Sequence, residues 1–145
     1  MRKPASESNS HLIARIDGAS RGNPGPAAYA VVLERKDGAP VERLAECIGT
    51  ATNNVAEYRA LLAALGLAGR RDTCHLKVFT DSELLARQIL GRYKVKSPDL
   101  KPLFAEAQRL IAGLAEFSIQ HVPREENREA DRLANQALDG QGFGH

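Results

Sequence analysis

The chain has 145 residues, is 43% hydrophobic and carries a net charge of +2. This length suits a single domain with a hydrophobic core, and the small net charge means that any surface for a polyanion must be local. The sequence has no apolar run of roughly 18 residues, no CxxC spacing and no secretory signal, which disfavours a membrane segment, a zinc site and a disulfide. We expect a cytoplasmic monomer in which residues 12–139 form the domain, while residues 1–11 and 140–145 are disordered.

The first third of the chain predicts three strands joined by short turns. A β-branched apolar run predicts a first strand over 12–17, which ends at Asp17 and is followed by the segment GNPGP. A second strand is predicted over 28–35 and a third over 41–48, with a glycine turn between them. This succession is typical of an antiparallel meander.

The rest of the chain alternates between helical and strand patterns. Asn54 is a candidate helix cap with Glu57 three residues on, and the helix that follows is predicted to end near Gly69. The later predicted elements are a strand over 75–80, helices over 82–90 and 100–114, a strand over 117–122 and a helix over 128–138. The order βββαβααβα predicts an α/β fold with a five-stranded mixed sheet flanked by helices.

Four acids occupy comparable places in these elements. Asp17 and Asp81 follow predicted strands, whereas Glu57 and Asp131 lie near the starts of predicted helices, on the side that faces the sheet. If the first and fourth strands are parallel neighbours, Asp17 and Asp81 emerge at one edge of the sheet. Clustered carboxylates repel one another unless cations neutralise them, and oxygen ligands favour Mg²⁺ or Mn²⁺ over zinc. Two such ions about 4 Å apart can activate water and stabilise an in-line displacement at phosphorus.

Each acid taken alone also has a purely structural interpretation. Asp17 precedes a glycine and could form a turn, and Glu57 could complete a helix cap. Asp81 could cap the helix that begins beside it, and Asp131 could favour the positive end of its helix. The spacing of all four acids with their neighbours is what favours a shared site.

Four segments that contain these acids resemble the signature blocks of type 1 ribonuclease H. In chain order they are DGASRGNPGPAAYA, TNNVAEYRALLAAL, TDSELL and HVPREENREADRLAN. The resemblance implies the ribonuclease H fold and metal-dependent endonucleolytic hydrolysis of the RNA strand of RNA–DNA hybrids, leaving 3′-hydroxyl and 5′-phosphate ends. It also implies that the catalytic acids, which hold two Mg²⁺ or Mn²⁺ ions, are Asp17, Glu57, Asp81 and Asp131.

The resemblance further implies contacts with the hybrid from Asn23, Thr52, Asn53 and Asn54. Amides and hydroxyls can donate hydrogen bonds to a sugar 2′-hydroxyl and to phosphates in the minor groove, which distinguishes RNA from DNA. Loop and cap chemistry is the other interpretation of Asn53 and Asn54, and both roles can hold together.

The sequence departs from the best-known bacterial pattern after the third acid. That pattern has a long basic protrusion, whereas here only Gly91–Asp99 fills the gap. Affinity for the hybrid is therefore expected to rest on Arg92, Lys94 and Lys96, or to be weaker than in proteins with the protrusion. The alternative is that these residues form only a solvated charged loop. Glu83 stands where the family often has glutamine, which puts one contact with a phosphate in doubt.

A mobile histidine before the last acid is common in the family. His121 has the matching offset of ten residues from Asp131, but its neighbours favour the end of a strand and hence a structural role. Arg124 is the better candidate for a mobile cationic helper, with Glu125 or Glu126 as alternatives.

Two other functions compete with this interpretation. A proofreading 3′–5′ exonuclease of the same fold has a second acid two positions after the first, and Ala19 at that position counts against it. A non-catalytic module that binds hybrids has no need to tolerate four mutually repelling acids.

Overall fold

The computed structural model describes residues 11–142, in which five strands form one mixed sheet. The strands are β1 (His11–Ser20), β2 (Gly25–Arg35), β3 (Pro40–Ala51), β4 (His75–Thr80) and β5 (Glu116–His121). Their order is β3-β2-β1-β4-β5; β1 and β3 pair with β2 antiparallel, and β4 pairs with β1 and β5 parallel. The predicted mixed sheet, with its antiparallel meander and parallel neighbours β1 and β4, is confirmed.

Four helices complete the predicted order of elements. They are α1 (Asn53–Arg70), α2 (Glu83–Ile89), α3 (Lys101–Ala112) and α4 (Arg128–Gly142), with a single 3₁₀ turn at Arg124–Glu126 before α4. Helix α4 continues past its predicted end at Leu138 to Gly142, and β1 begins at His11. Residues 1–10 and 143–145, which make up most of the predicted disordered ends, lie outside the described residues. Over the range 11–142, no helix is long and apolar enough to cross a membrane.

Helices cover both faces of the sheet around β1 and β2. Alternate residues of β2 point to opposite faces, and Tyr29, Val31 and Leu33 join the main core with α1. The residues between them, including Ala30 and Val32, are also buried, and α4 packs across β1, β2 and β3. Both α1 and α4 are therefore held against β1, the strand that contains Asp17.

Hydroxyl side chains cap the two helices that begin near the acids. Thr52 Oγ1 accepts from the backbone N–H of Val55 at the start of α1, and Ser82 Oγ accepts from that of Leu85 at the start of α2. The prediction that Asn54 caps α1 is wrong, because the helix already begins at Asn53. Capping by Thr52 and Ser82 leaves the carboxylates of Glu57 and Asp81 available for other contacts.

Candidate active site

Asp17 and Asp81 lie side by side because their strands are parallel and in register. Ile16 pairs with Thr80, so the residue that follows each of them is at the same edge of the β1–β4 pair. The prediction that β1 ends at Asp17 is wrong, since β1 goes on pairing with β2 as far as Ser20. Asp17 is consequently only 2% exposed, inside the strand rather than at a surface turn.

Glu57 reaches the same place from α1. Its Oε1 accepts a hydrogen bond of 3.0 Å from the backbone N–H of Gly18, and the residue is 4% exposed. A Cβ at position 18 would overlap the backbone of Ala56 and Glu57, so the glycine permits the close approach of α1 to β1. Glu57 therefore faces the sheet, as its helical spacing predicted, and does not complete the helix cap.

Three of the four predicted acids form a compact cluster. Asp17, Glu57 and Asp81 each offer a carboxylate oxygen, and these three oxygens all lie within 4.8 Å of one another. The cluster opens into a cleft of about 370 Å³ that is also lined by Gly18, Asn53, Ser82 and Arg124. Such a spacing of oxygen ligands suits a hard divalent cation.

Asp131 stands beside this cluster, next to Asp17. Burial is the main cause that raises the pKa of Asp17, and the charge of Asp131 and a side-chain hydrogen bond to it add to this rise. Asp131 Oδ1 also lies 4.0 Å from Nη2 of Arg124. The structure thus brings all four predicted acids to one edge of the sheet, three in the cluster and the fourth at its side.

Burial and mutual repulsion raise the pKa values of the three clustered carboxyl groups. Burial, followed by repulsion from Glu57, Asp81 and Asp131, raises the pKa of Asp17 to about 9. Burial and the charge of Asp81 raise the pKa of Glu57 to about 8, against the opposing effects of the Gly18 N–H and Arg124. Burial also raises the pKa of Asp81. A bound divalent cation would remove this penalty on the ionised forms.

Arg124 sits between two of the acids. Its Nε lies 4.0 Å from Oδ2 of Asp81, and its Nη2 lies 4.0 Å from Oδ1 of Asp131. The charge of Arg124 opposes the rise that burial causes in the pKa of both Glu57 and Asp81. Because its side chain is 79% exposed, the guanidinium can leave this position at little cost in buried contacts.

Asn127 is a residue of the site that the sequence did not indicate. Its Nδ2 donates a buried hydrogen bond of 2.7 Å to the carbonyl of Ile16, the residue before Asp17. Its backbone carbonyl accepts from the backbone N–H of Asp131 at 3.2 Å. The Asn127 side chain therefore ties the start of α4 to β1. The position of Asn127, four residues before Asp131, was a local signal for a helix start. Its partner in β1 could not be predicted from the sequence.

The predicted substrate-binding residues lie at the start of α1 and in the GNPGP segment that contacts it. Asn23 Oδ1 accepts a hydrogen bond of 2.9 Å from the backbone N–H of Asn53, which ties the GNPGP segment to the start of α1. Asn53 lines the cleft, Thr52 caps α1, and Asn54 is exposed in the first turn of that helix. These four polar residues are thus grouped at the start of α1.

The predicted auxiliary residues fall into separate places. Arg92, Lys94 and Lys96 line a second cleft, of about 440 Å³, together with Leu84 and Tyr93. His121 is exposed at the end of β5, paired in register with Thr80, as the predicted strand end required. Arg124 is the auxiliary candidate that lines the acidic cleft itself.

The sheet order, with acids gathered where β1 and β4 meet, defines the ribonuclease H-like class of α/β proteins. Residues 15–137 match the reverse transcriptase-like family. With this match and the relatives that follow, the chain belongs to the ribonuclease H family.

The similar proteins include one from an archaeon and one from a bacterium. Ribonuclease HI of Halobacterium salinarum is 47% identical over 126 residues, which cover 87% of this chain and 63% of that protein. The crystal structure of RNase H1 from this archaeon has a TM-score of 0.87 at 45% identity, covering 90% of this chain and 98% of the other. A bifunctional protein of Mycobacterium tuberculosis is 47% identical over 131 residues, or 88% of this chain and 35% of that protein. Its N-terminal RNase H domain has a TM-score of 0.89 at 42% identity, covering 92% and 97% of the two chains.

A third similar structure contains nucleic acid. LC11-RNase H1, isolated from compost, is in complex with an RNA/DNA hybrid; it has a TM-score of 0.86 at 39% identity and covers 90% of this chain and 98% of that chain. This chain therefore spans nearly all of three solved ribonuclease H domains, but only 63% and 35% of the two full-length relatives.

Proposed function

We propose that this protein is a divalent-metal-dependent endonuclease that hydrolyses the RNA strand of RNA–DNA hybrids and leaves 3′-hydroxyl and 5′-phosphate ends. The observation that carries the proposal is the cluster of buried Asp17 and Glu57 with half-buried Asp81, in which one carboxylate oxygen of each lies within 4.8 Å of the others. The hybrid bound by LC11-RNase H1 supports this class of substrate. The cytoplasmic location and the monomeric state stay predictions of the sequence.

The donor set fits Mg²⁺ or Mn²⁺. The three clustered ligands are carboxylates, and their raised pKa values mean that they gain most from a cation that stabilises the ionised forms. Asp17, Glu57 and Asp81 would hold the metal, and Asp131 would complete the ligand set for two ions during catalysis. When bound, these ions would supply Lewis-acid stabilisation of the phosphate oxygens and a more acidic water.

The protein's own residues orient the acids before substrate arrives. The Gly18 N–H fixes one oxygen of Glu57, and Asn127 holds the start of α4 against β1. Arg124 would balance the charge of Asp81 and Asp131, then turn its exposed guanidinium towards the phosphate or the leaving group. His121 would serve as the structural end of β5.

Recognition of the RNA strand would come from the polar residues beside the cleft. Asn53 lines the cleft, and Asn23 accepts a hydrogen bond from the backbone of Asn53. Both residues can therefore contact a sugar 2′-hydroxyl near the acids. Thr52 and Asn54 lie on either side of Asn53 and would add contacts to the sugar and phosphate. Arg92, Lys94 and Lys96 would contact phosphates further from the cleavage point.

A comparison of substrates tests this function against its two competitors. RNA labelled at its 5′ end is presented as RNA–DNA hybrid and as double-stranded RNA, beside double-stranded DNA, with Mg²⁺ or Mn²⁺. The proposal predicts internal cuts in the RNA of the hybrid and far less product from the two other duplexes. Stepwise trimming from the 3′ end would instead favour an exonuclease. Binding without cleavage under either cation would favour a hybrid-binding module.

A further inference from the structure

A buried glutamine connects the helix that carries Glu57 to the loop that carries the basic residues. Gln88 is 4% exposed in α2, and its Oε1 accepts a hydrogen bond of 2.7 Å from the hydroxyl of Tyr58, the residue after Glu57. On its other side, Gln88 Nε2 donates a hydrogen bond of 3.3 Å to the backbone carbonyl of Lys94. Because the Lys94 carbonyl can only accept a hydrogen bond, the amide nitrogen of Gln88 faces the loop, and its amide oxygen accepts from the Tyr58 hydroxyl.

The loop from Gly91 to Lys96, called the basic loop below, has other anchors on the same helix. The backbone N–H groups of Arg92 and Tyr93 both donate to the carbonyl of Arg87, at 2.8 and 3.2 Å. The Arg87 guanidinium lies 5.4 Å from the centre of the Tyr93 ring. Val95 packs partly buried against the main core. The basic loop is thus a segment without helix or strand whose backbone is nevertheless fixed.

We propose that Gln88 is a positioning residue for substrate binding, which holds the basic loop in the conformation that meets the phosphates of the hybrid. The inference rests on the proposed function. A loop that is already ordered loses less conformational entropy on binding than a flexible one. Arg92, Lys94 and Lys96 line one cleft, so fixing the Lys94 backbone fixes their common geometry. The bond through Tyr58 places this geometry relative to Glu57 in the acidic cleft.

The inference predicts a change in KM without a change in kcat. Replacing Gln88 alone would leave the buried Tyr58 hydroxyl without a partner and could destabilise the fold. The informative pair is therefore Tyr58→Phe and Tyr58→Phe/Gln88→Met, because the single variant keeps the bond to Lys94 and the double variant removes it with no orphaned hydroxyl. We expect the double variant to have a KM for hybrid about fivefold above that of the single variant, because the loss of one hydrogen bond changes an equilibrium constant by about this factor. Their kcat values should agree, and urea denaturation checks that both variants are folded under the assay conditions.

A second measurement separates loop positioning from a general loss of packing. In an Arg92→Ala/Lys94→Ala/Lys96→Ala background that also carries Tyr58→Phe, the effect of Gln88→Met on KM should disappear, because the cations through which Gln88 acts are gone. The slope of log KM against log salt should fall in that background, whereas Lys77→Ala, an exposed cation on β4, should leave it unchanged. Equal KM values for the first pair, or a lower kcat with unchanged KM, would overturn the role of Gln88. A wild-type protein that does not cleave hybrid would instead overturn the proposed function, and the Kd for hybrid would then test the basic loop by the same comparisons.

Discussion

The backbone N–H of Gly18 donates a hydrogen bond of 3.0 Å to Oε1 of Glu57, across 39 positions of the chain. This bond fixes the distance between β1 and α1 at the point where Asp17 and Glu57 meet. It is possible because position 18 has no Cβ, which would overlap the backbone of Ala56 and Glu57. The catalytic proposal therefore depends on a glycine as well as on the acids.

Replacing this glycine by alanine should disturb both stability and the cluster. In Gly18→Ala the new methyl group forces α1 away from β1, and we expect a loss of about 1–3 kcal/mol in the free energy of unfolding, as for other overpacked cores. Cleavage of hybrid should fall with it, because Glu57 is displaced. Urea denaturation and initial rates measure the two effects. Gly69→Ala is the control, since a Cβ there meets nothing within 4 Å; equal stability of the two variants would contradict the account.

The raised pKa values predict that the metal-free protein becomes less stable as the pH rises. Burial is the main cause that raises the pKa of Asp17 from 3.8 to about 9, and that of Glu57 from 4.5 to about 8. A carboxyl group with a higher pKa in the folded state stabilises that state fully below its unfolded pKa, and this contribution is lost as the pH rises through the folded pKa. In EDTA, the free energy of unfolding should therefore decline from about pH 4 to about pH 9.

Asp17→Asn supplies the control for this pH dependence. The amide does not titrate, so the decline in stability should be shallower in the variant than in the wild type. Added Mg²⁺ should flatten the wild-type curve, because the cation binds the deprotonated cluster of the folded state. Chemical denaturation at a series of pH values gives both curves. The same slope in the two proteins would show that Asp17 is ionised in the folded protein without metal.

Replacing Arg124 and replacing His121 should have different effects on kcat. Arg124 approaches Asp81 and Asp131 to 4.0 Å, whereas His121 is exposed at the end of β5. We expect Arg124→Ala to lower kcat about 10–100-fold, the usual effect of removing a partner of metal-ligating carboxylates. His121→Ala should change kcat by less than about threefold, since an exposed substitution disturbs little. A larger loss of kcat in His121→Ala than in Arg124→Ala would reverse the two assignments.

The sequence predicted the order of the elements because each element has a local signal. Strand β4 was predicted at its observed bounds of 75–80, where a short segment rich in apolar residues, HLKVFT, stands before Asp81. The predicted end of an element was wrong where a neighbouring strand extends the element, or where a competing side chain caps it. Pairing with β2 extends β1 past Asp17, and Thr52 takes the cap that Asn54 could equally have supplied.

The convergence of the acids was predicted from their family pattern and their places in the elements, but the contacts that hold them were not. Asn127 meets Ile16 across 111 positions of the chain, and Gln88 meets Tyr58 across 30. No local pattern marks such a pair, because asparagine and glutamine are common on surfaces and at helix ends. Only the packed fold shows that these two amides are buried, with partners beside the acids or the basic loop.

The most direct measurement is hybrid cleavage by Asp17→Asn beside Asp72→Asn, with Mg²⁺ and then Mn²⁺. Asp17 belongs to the buried cluster, whereas Asp72 is exposed with a φ of 56°, a conformation that asparagine also adopts readily. We expect Asp17→Asn to lose about a thousandfold in kcat, since a metal centre supplies several kcal/mol and each 1.4 kcal/mol is a factor of ten. Asp72→Asn should cleave like the wild type. Wild-type turnover by Asp17→Asn with either ion would contradict a catalytic metal site at this cluster.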